Sequence, residues 1–200
     1  MCVIGCGDSN VETIDKGKAA ATPHQETTDA STGRPQSIPP PSGNGASAAG
    51  IAWNPPAGWK AGAPRPMRAA TYTIGTGDGA AECAVFFFGA GQGGEVKANI
   101  ERWIGQFQQP DGSDSQSNVK LSSRDLSGLK ATLIDLAGTY MASMGGPMSG
   151  QKESHPGSRL LGAIVEAPEG PVFFKLTGPE AAVAAARSDF DGLLASVKRP

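Results

Sequence analysis

Histidine and cysteine are scarce in this sequence, which limits the chemistry it can perform. The 200 residues include two histidines, His24 and His155, and three cysteines, Cys2, Cys6 and Cys83. These residues lack the paired spacing of a zinc site, and no G-x-S-x-G nucleophile elbow is present. Hydrolytic catalysis is therefore disfavoured. We also expect no resident cofactor and no framework of disulfide bonds.

An excess of basic residues is also missing. Lys and Arg number 17 against 19 Asp and Glu, for a formal net charge of -2. A nucleic-acid partner would require a basic face to neutralise its phosphates, so we expect none. The sequence also has no run of about 18 apolar residues, the length that a bilayer-spanning helix needs.

Aromatic side chains are absent from residues 7–50. The three Trp, two Tyr and seven Phe all lie between Trp53 and Phe190, whereas residues 7–50 are rich in Thr, Ser, Ala, Gly and Pro. Such a segment cannot bury enough apolar surface to offset a conformational entropy cost of roughly 1–2 kcal/mol per residue. We therefore predict a disordered tether over residues 7–50 and one folded domain over residues 51–200.

The sequence opens with MCVIGCGDSN, in which VIGC (residues 3–6) resembles a bacterial lipobox. In proteins with this motif the cysteine thiol receives a diacylglyceryl group, and a peptidase cuts just before it. The resemblance implies that Cys6 is acylated and that residues 1–6 are the remnant of a lipoprotein signal peptide. A signal peptide needs an apolar region of about 7–15 residues, so we interpret Met1 as lying inside that region. The expected location is the bacterial cell envelope, with membrane lipid contacted through the acylated Cys6.

The first half of the domain contains strand and helix patterns. MRAATYTI (67–74) has the composition of a strand, and ECAVFFF (82–88) is an apolar run typical of a strand covered on both faces. In GGEVKANIERWIGQF, the residues Val96, Ile100, Trp103 and Phe107 form one stripe of a helix.

The second half predicts two hairpins and a final helix. VKLSSRDL and LKATLIDLAGTY flank a Ser127-Gly128 turn, and RLLGAIVEA and PVFFKLTG flank a second turn. In the final helix Thr177 and Glu180 have capping-box spacing, although Pro179 also suits a first helical position. Successive hairpins give a mainly antiparallel sheet, and its apolar strands require helices on its faces, so the fold class is α+β.

The segments WNPPAGW, VFFFG, NIERWIGQF and FFKLTGP are similar to those of the PsbP-like family, over most of residues 51–198. This family includes extrinsic photosystem proteins, a nuclear-transport factor and envelope lipoproteins. The resemblance implies an α/β/α sandwich. It also implies a binding or scaffolding module more often than an enzyme, although fold does not fix function.

A glycine-rich turn offers an alternative function. Gly89, Gly91 and Gly94 match G-x-G-x-x-G between a predicted strand and a predicted helix, where a dinucleotide-binding loop holds phosphates. That function requires a parallel β-α-β unit, but the predicted hairpins run antiparallel. A flexible connection is the simpler interpretation, and the alternative is an enzyme or nucleotide-binding protein that uses residues 89–94.

A methionine-rich stretch over residues 139–159 is predicted to be a long loop. It contains Met141, Met144, Met148 and His155, a set of soft ligands that copper(I) tolerates. Methionine is equally an adaptable contact residue for protein partners, and a loop without a specific role is the third interpretation. Cys83, within an apolar strand, is expected to be a buried and inert thiol.

These patterns together favour a membrane-anchored envelope lipoprotein. Its domain is expected to act as a non-catalytic binding or scaffolding module with an envelope protein as its partner.

Overall fold

The computed structural model describes residues 46–143 and 151–200, and these contain ten strands and four α-helices. The strands are β1 (Ala46–Ala48), β2 (Ile51–Trp53), β3 (Lys60–Ala61), β4 (Arg68–Ile74), β5 (Ala81–Phe86), β6 (Phe107–Gln108), β7 (Lys120–Leu126), β8 (Leu129–Ser143), β9 (Lys152–Ala167) and β10 (Gly170–Pro179). The helices are α1 (Val96–Ile104), α2 (Ser115–Asn118), α3 (Glu180–Ala185) and α4 (Arg187–Ala195). No helix among the described residues is long and apolar enough to cross a membrane.

An eight-stranded sheet carries the domain. Its order is β3-β4-β5-β10-β9-β8-β6, and β7 also pairs with β8, on the edge that β6 occupies. Every strand pairing in the described ranges is antiparallel. The predicted α+β fold class with a mainly antiparallel sheet is confirmed.

Alternation along β10 gives the sheet two buried faces. Val172, Phe174 and Leu176 belong to one hydrophobic cluster with α3 and α4. Phe173 belongs to a second cluster with α1. Because successive strand residues point to opposite faces, an unbroken apolar run in β10 requires a layer of helix on each side, and this produces the α/β/α sandwich.

Helix α1 is shorter than its predicted stripe. It ends at Ile104, and Phe107 lies in strand β6, paired with Tyr140. Trp103 and Phe107 are nevertheless both buried in the α1-side cluster. The helical interpretation of Phe107 was wrong because Gly105 ends the helix, after which the chain turns back to the sheet edge.

The folded part begins before the predicted boundary. Residues 46–48 form β1, which pairs with β2, and both Ala46 and Ala48 are buried. Residues 46–50 therefore belong to the domain rather than to the tether, because alanine in a β-hairpin packs on the core without any aromatic side chain. Residues 1–45, with Cys6 and most of the predicted tether, lie outside the described residues.

The predicted loop over 139–159 is largely a hairpin. Strand β8 continues to Ser143 and β9 begins at Lys152, so Met141 and His155 lie in paired strands. The β8–β9 pairing shifts register between Gly138 and Tyr140 and then continues to Ser143. The loop interpretation was wrong because Pro156 and Gly157 fall at this register shift, without paired residues in β8, and so do not stop the strand pairing on either side.

The final helical region starts without a capping box. Thr177 is paired in β10, and Pro179 is the N-cap of α3, with no side-chain capping hydrogen bond. The region is also divided into two helices at Ala186. Since Thr177 is held extended by its neighbours in the sheet, the capping-box prediction is wrong. The first helical residue is Glu180, so Pro179 stands one position before the place that the alternative gave it.

Asp135 joins the sheet to the helical layer of α3 and α4. Its carboxylate accepts hydrogen bonds from Nε and Nη2 of Arg159 at 2.8 and 2.9 Å, and from Arg187 at the start of α4. Burial raises the pKa of Asp135, but the hydrogen bonds and charges of the two guanidinium groups outweigh burial and hold this pKa below its usual value. The ionised carboxylate is therefore favoured in the folded state.

We predict that Asp135→Asn lowers the free energy of unfolding near pH 7 by roughly 2 kcal/mol, the range for hydrogen bonds to charged groups. A depressed pKa stabilises the fold above the unfolded value of about 3.9. The difference between the two proteins should therefore shrink as pH falls below that value. Urea unfolding at a series of pH values measures it. The control Asp191→Asn removes an exposed pair with Arg124 and should cost less than about 1 kcal/mol; equal costs for both variants would contradict the prediction.

We predict that Gly162→Ala destabilises the domain by overpacking. A Cβ at Gly162 would lie 2.5 Å from Cζ3 of Trp103 and 2.7 Å from Cγ2 of Ile134, and such overpacking costs about 1–3 kcal/mol. The control Gly192→Ala lies in α4, where a Cβ meets no atom within 4 Å, and should stabilise the helix by about 0.5–1 kcal/mol. Chemical denaturation compares the two variants. Unchanged stability of Gly162→Ala would show that α1 does not pack on β9.

Candidate functional site

An open groove of about 810 Å³ lies beside α1 on one face of the sheet. Its apolar walls include Ile100 and Ile104 from α1 and Leu121 from β7, and we call this surface the α1 groove. The two isoleucines are almost fully buried, whereas Leu121 is 51% exposed. A single exposed leucine is ordinary on a protein surface, so Leu121 is of interest only because it borders the groove.

The position of Leu121 follows from strand alternation in β7. Leu121 pairs with Ile134, a core residue of the α1 face, so it points toward that face. Arg124 points to the opposite face, where it forms a 3.0 Å ion pair with Asp191 of α4. Strand β7 thus presents one apolar side chain to the groove and anchors the other face to the helical layer.

Two ion pairs flank the α1 groove. Lys97 pairs with Glu101 at 2.7 Å, and Lys130 pairs with Glu166 at 3.0 Å. Glu95, which also lines the groove, forms no ion pair within the described residues. The lining therefore has a small acidic excess.

A polar cluster occupies another part of the same face. Nζ of Lys175 donates to Oε1 of Gln106 at 2.6 Å and contacts the hydroxyl oxygen of Tyr140 at 3.5 Å. It also lies 5.1 Å from the centre of the Tyr140 ring. Beside it, Arg68 forms a 2.7 Å ion pair with Glu82. We call Lys175, Gln106 and Tyr140 the Lys175 cluster.

Burial shifts the pKa of Lys175. Loss of hydration and the nearby charge of Arg68 lower the pKa to about 8, while Glu82 opposes the change. The amine is thus mostly protonated at neutral pH but is held with less solvent than an ordinary surface lysine. Burial likewise raises the pKa of the Tyr140 phenol, so this group remains an O–H donor.

The glycine-rich turn at residues 89–94 does not connect parallel strands. Strand β5 before it pairs antiparallel with β4 and β10, and α1 leads to the edge strand β6. A Cβ at Gly93 would lie 3.1 Å from the ring of Phe173, and the side chain of Asn99 donates to the carbonyls of Gly93 and Glu95. The turn therefore serves close packing, and Glu95 adds a negative charge at the N-cap of α1, which disfavours a phosphate there.

The predicted soft-ligand set is only partly described. Tyr140 pairs with His155 and Met141 pairs with Ser154, so Met141 and His155 point to opposite faces of the hairpin and cannot share one ion there. His155 stacks on Tyr140, with ring centres 6.4 Å apart. Met144 and Met148 lie outside the described residues. A copper(I) or partner contact through these two methionines stays a prediction.

Other metal or nucleophile positions are scarce in the described ranges. Residues 46–143 and 151–200 hold no group of three or more His, Cys, Asp or Glu side chains that could bind a metal ion. Cys83 is completely buried, and burial raises the pKa of its thiol. This supports the inert interpretation, because the thiolate is the reactive form.

Sequence reasoning missed both surfaces. The charge of Lys175 inside the apolar strand segment PVFFKLTG was an available signal, since a lysine in a buried strand is unusual. The sequence VKLSSRDL could not show whether Leu121 is a core residue or an exposed one. The partners of Lys175 are 69 and 35 residues away along the chain, so only the fold brings them together.

No protein-family model matches this sequence, and no curated protein matches it either. Among solved structures, the chain is similar to cyanobacterial PsbP (CyanoP) from Synechocystis sp. PCC 6803, at 13% identity and a TM-score of 0.46, over 76% of this chain and 88% of that one. It is also similar to a Bacteroides thetaiotaomicron VPI-5482 protein, at 13% identity and a TM-score of 0.31, over 76% of this chain and 45% of that one. These likenesses concern the course of the chain and not its ligands.

Proposed function

We propose that this chain is a lipid-anchored lipoprotein of the bacterial envelope and that its domain binds a partner protein rather than catalysing a reaction. The anchor is supported by the lipobox-like VIGC ending at Cys6, followed by the polar composition of residues 7–45. The binding function is carried by one observation. An apolar groove adjoins an edge strand that has a strand partner on one side only.

The proposed occupant is an extended segment of an envelope protein that adds to the β7 edge. In the described part of the chain β7 pairs with β8 alone, which leaves an outer row of backbone donors and acceptors. Such an edge is a template for strand addition, in which backbone hydrogen bonds supply affinity and pockets for alternate side chains supply specificity. Leu121 borders the pocket for those side chains.

The charges of the groove restrict the sequence of that segment. The carboxylates of Glu95, Glu101 and Glu166 face only two lysines, Lys97 and Lys130. A complementary segment has apolar residues at alternate positions and a basic residue near Glu95. Complementary charge of this kind favours encounter and register more than raw affinity.

We predict that Cys6→Ala moves the protein from the membrane fraction to the soluble fraction. Acyl chains supply the membrane affinity, at about 0.8 kcal/mol for each buried CH₂ group. The variant is expressed from the full-length gene in a bacterial host that processes lipoproteins, and fractions are compared by immunoblot. Cys2→Ala is the control and should stay with the membrane, since this residue precedes the proposed cleavage point. Membrane retention of Cys6→Ala would refute the anchor.

We predict that Leu121→Asp weakens partner binding at least tenfold, because it replaces an apolar contact of the segment with a charge that would have to be desolvated. The matched control is Ser122→Asp, which adds the same charge to the opposite face of β7. Both positions are exposed, so each variant should change stability by less than about 0.5 kcal/mol.

A photo-crosslinking amino acid at position 121, and separately at 122, identifies the partner in cells. Position 121 should crosslink to one segment with alternating apolar residues and a basic residue, and titration of the purified partner then gives the affinities of both variants. Equal crosslinking from the two positions, or equal affinities of Leu121→Asp and Ser122→Asp, would refute the groove as the docking surface.

A further inference from the structure

The Lys175 cluster contains more hydrogen-bond donors than acceptors. An ammonium carries three N–H donors, a primary amide carries two, and a phenol carries one. Within the described residues, Nζ of Lys175 is satisfied by Oε1 of Gln106 and by the more distant Tyr140 oxygen. The amide nitrogen of Gln106 and the hydroxyl hydrogen of Tyr140 have no acceptor in this part of the structure. The cluster therefore places spare donors of Gln106 and Tyr140 close to one positive charge.

The positive charge of Lys175 has no carboxylate partner in the described ranges. The nearby carboxylate of Glu82 is taken by Arg68 at 2.7 Å and by Arg65 at 3.5 Å. A partly desolvated cation held only by neutral groups is unfavourable unless another charge is supplied. Lys175 is thus a partly desolvated cation without a paired carboxylate among the described residues.

The donors are held in place by the fold. Gln106 follows α1, its N–H donates to the carbonyl of Trp103 at 3.2 Å, and its own carbonyl accepts from the N–H of Met141 at 2.8 Å. Tyr140 is fixed between the rings of Phe107 and His155. Lys175 lies in β10, with Ala84 and Gly162 as its strand neighbours. Preorganised donors of this kind lose little entropy when a ligand binds.

We propose that Lys175, Gln106 and Tyr140 form a binding site for an oxyanion, the carboxylate or phosphate group of a small ligand, separate from the α1 groove. The ligand oxygen atoms would accept from Nζ of Lys175, the amide nitrogen of Gln106 and the hydroxyl of Tyr140. The carboxylate of Glu82 is paired with Arg65 and Arg68, so it does not take the place of the ligand oxygens. The site adds a small-molecule function to the domain and does not depend on the partner protein.

The test measures the Lys175 amine directly in the full chain. Lysine labelled with ¹³C at Cε is followed by NMR as pH rises, in sodium chloride, sodium sulfate and sodium acetate at equal ionic strength. Lys175→Met assigns the resonance. A bound anion stabilises the charged amine, so the pKa of Lys175 should rise in sulfate, in acetate or in both, relative to chloride. One pKa unit corresponds to about tenfold tighter anion binding by the charged form.

The two anions distinguish the ligand chemistry. A response to sulfate alone indicates a phosphate-like group, a response to acetate alone indicates a carboxylate, and responses to both indicate an oxyanion site of either kind; all three support the proposal. Equal pKa values in chloride, sulfate and acetate would overturn it. Lys60, exposed in β3, is the control and should not respond.

Substitution of the neutral partner provides an independent test. Gln106→Glu has nearly the same shape but supplies a fixed carboxylate, so it should raise the pKa of Lys175 in chloride and abolish the anion response. Tyr140→Phe, which keeps the ring, should weaken the response at least threefold. Lysine shifts for the rest of the chain report folding of each variant. An unchanged anion response in folded Gln106→Glu would also overturn the proposal.

The titration must account for every charged group that faces the amine. A change common to all lysines indicates general screening and contradicts a site, whereas a change confined to Lys175 supports it. The charged or titratable groups around the cluster are Arg65, Arg68, Glu82, Tyr140, Glu153 and His155.

Discussion

The rest of the structure depends on the burial of β10 from both sides. This strand lies in the middle of the sheet and carries Phe174 into the cluster of α3 and α4 and Phe173 into the cluster of α1. Neither face can be left to water, since each large aromatic side chain buries about 150–250 Å². The two helical layers satisfy this requirement, with α3 and α4 on one face and α1 on the other.

The same constraint explains which elements were predictable from sequence. The β7–β8 and β9–β10 hairpins have turn residues between predicted strands, so local pattern and tertiary structure agree at Ser127-Gly128 and around Glu169. Strand β5 and helix α1 were also predictable, because the apolar pattern of each segment agrees with its packing in the fold. Where tertiary structure overrides the local pattern, prediction fails. Phe107 continues the helical stripe in the sequence, but it lies in strand β6. Thr177 has capping-box spacing, but it is paired in β10.

The candidate surfaces were less predictable than the fold because they depend on long-range contacts. Local sequence can show that Lys175 is an unusual residue in its strand, but not that Gln106 lies against its amine. It can show that Leu121 is apolar, but not that β7 lies at an edge of the sheet. The glycine-rich turn illustrates the opposite error, in which a local match suggests phosphates although the strands around it run antiparallel and Asn99 already occupies its carbonyls.

Because Cys83 is completely buried, the reactivity of its thiol can be used to measure local opening of the domain. This thiol lies in β5, flanked by Tyr72 of β4 and Leu176 of β10, and its high pKa keeps it unreactive while the strands stay paired. Alkylating reagents therefore modify Cys83 only during excursions that uncover this face of the sheet, either by separating β5 from its neighbours or by moving α3 and α4 away from it. The rate of that modification, divided by the rate of an exposed thiol with the same reagent, gives the free energy of this opening under native conditions.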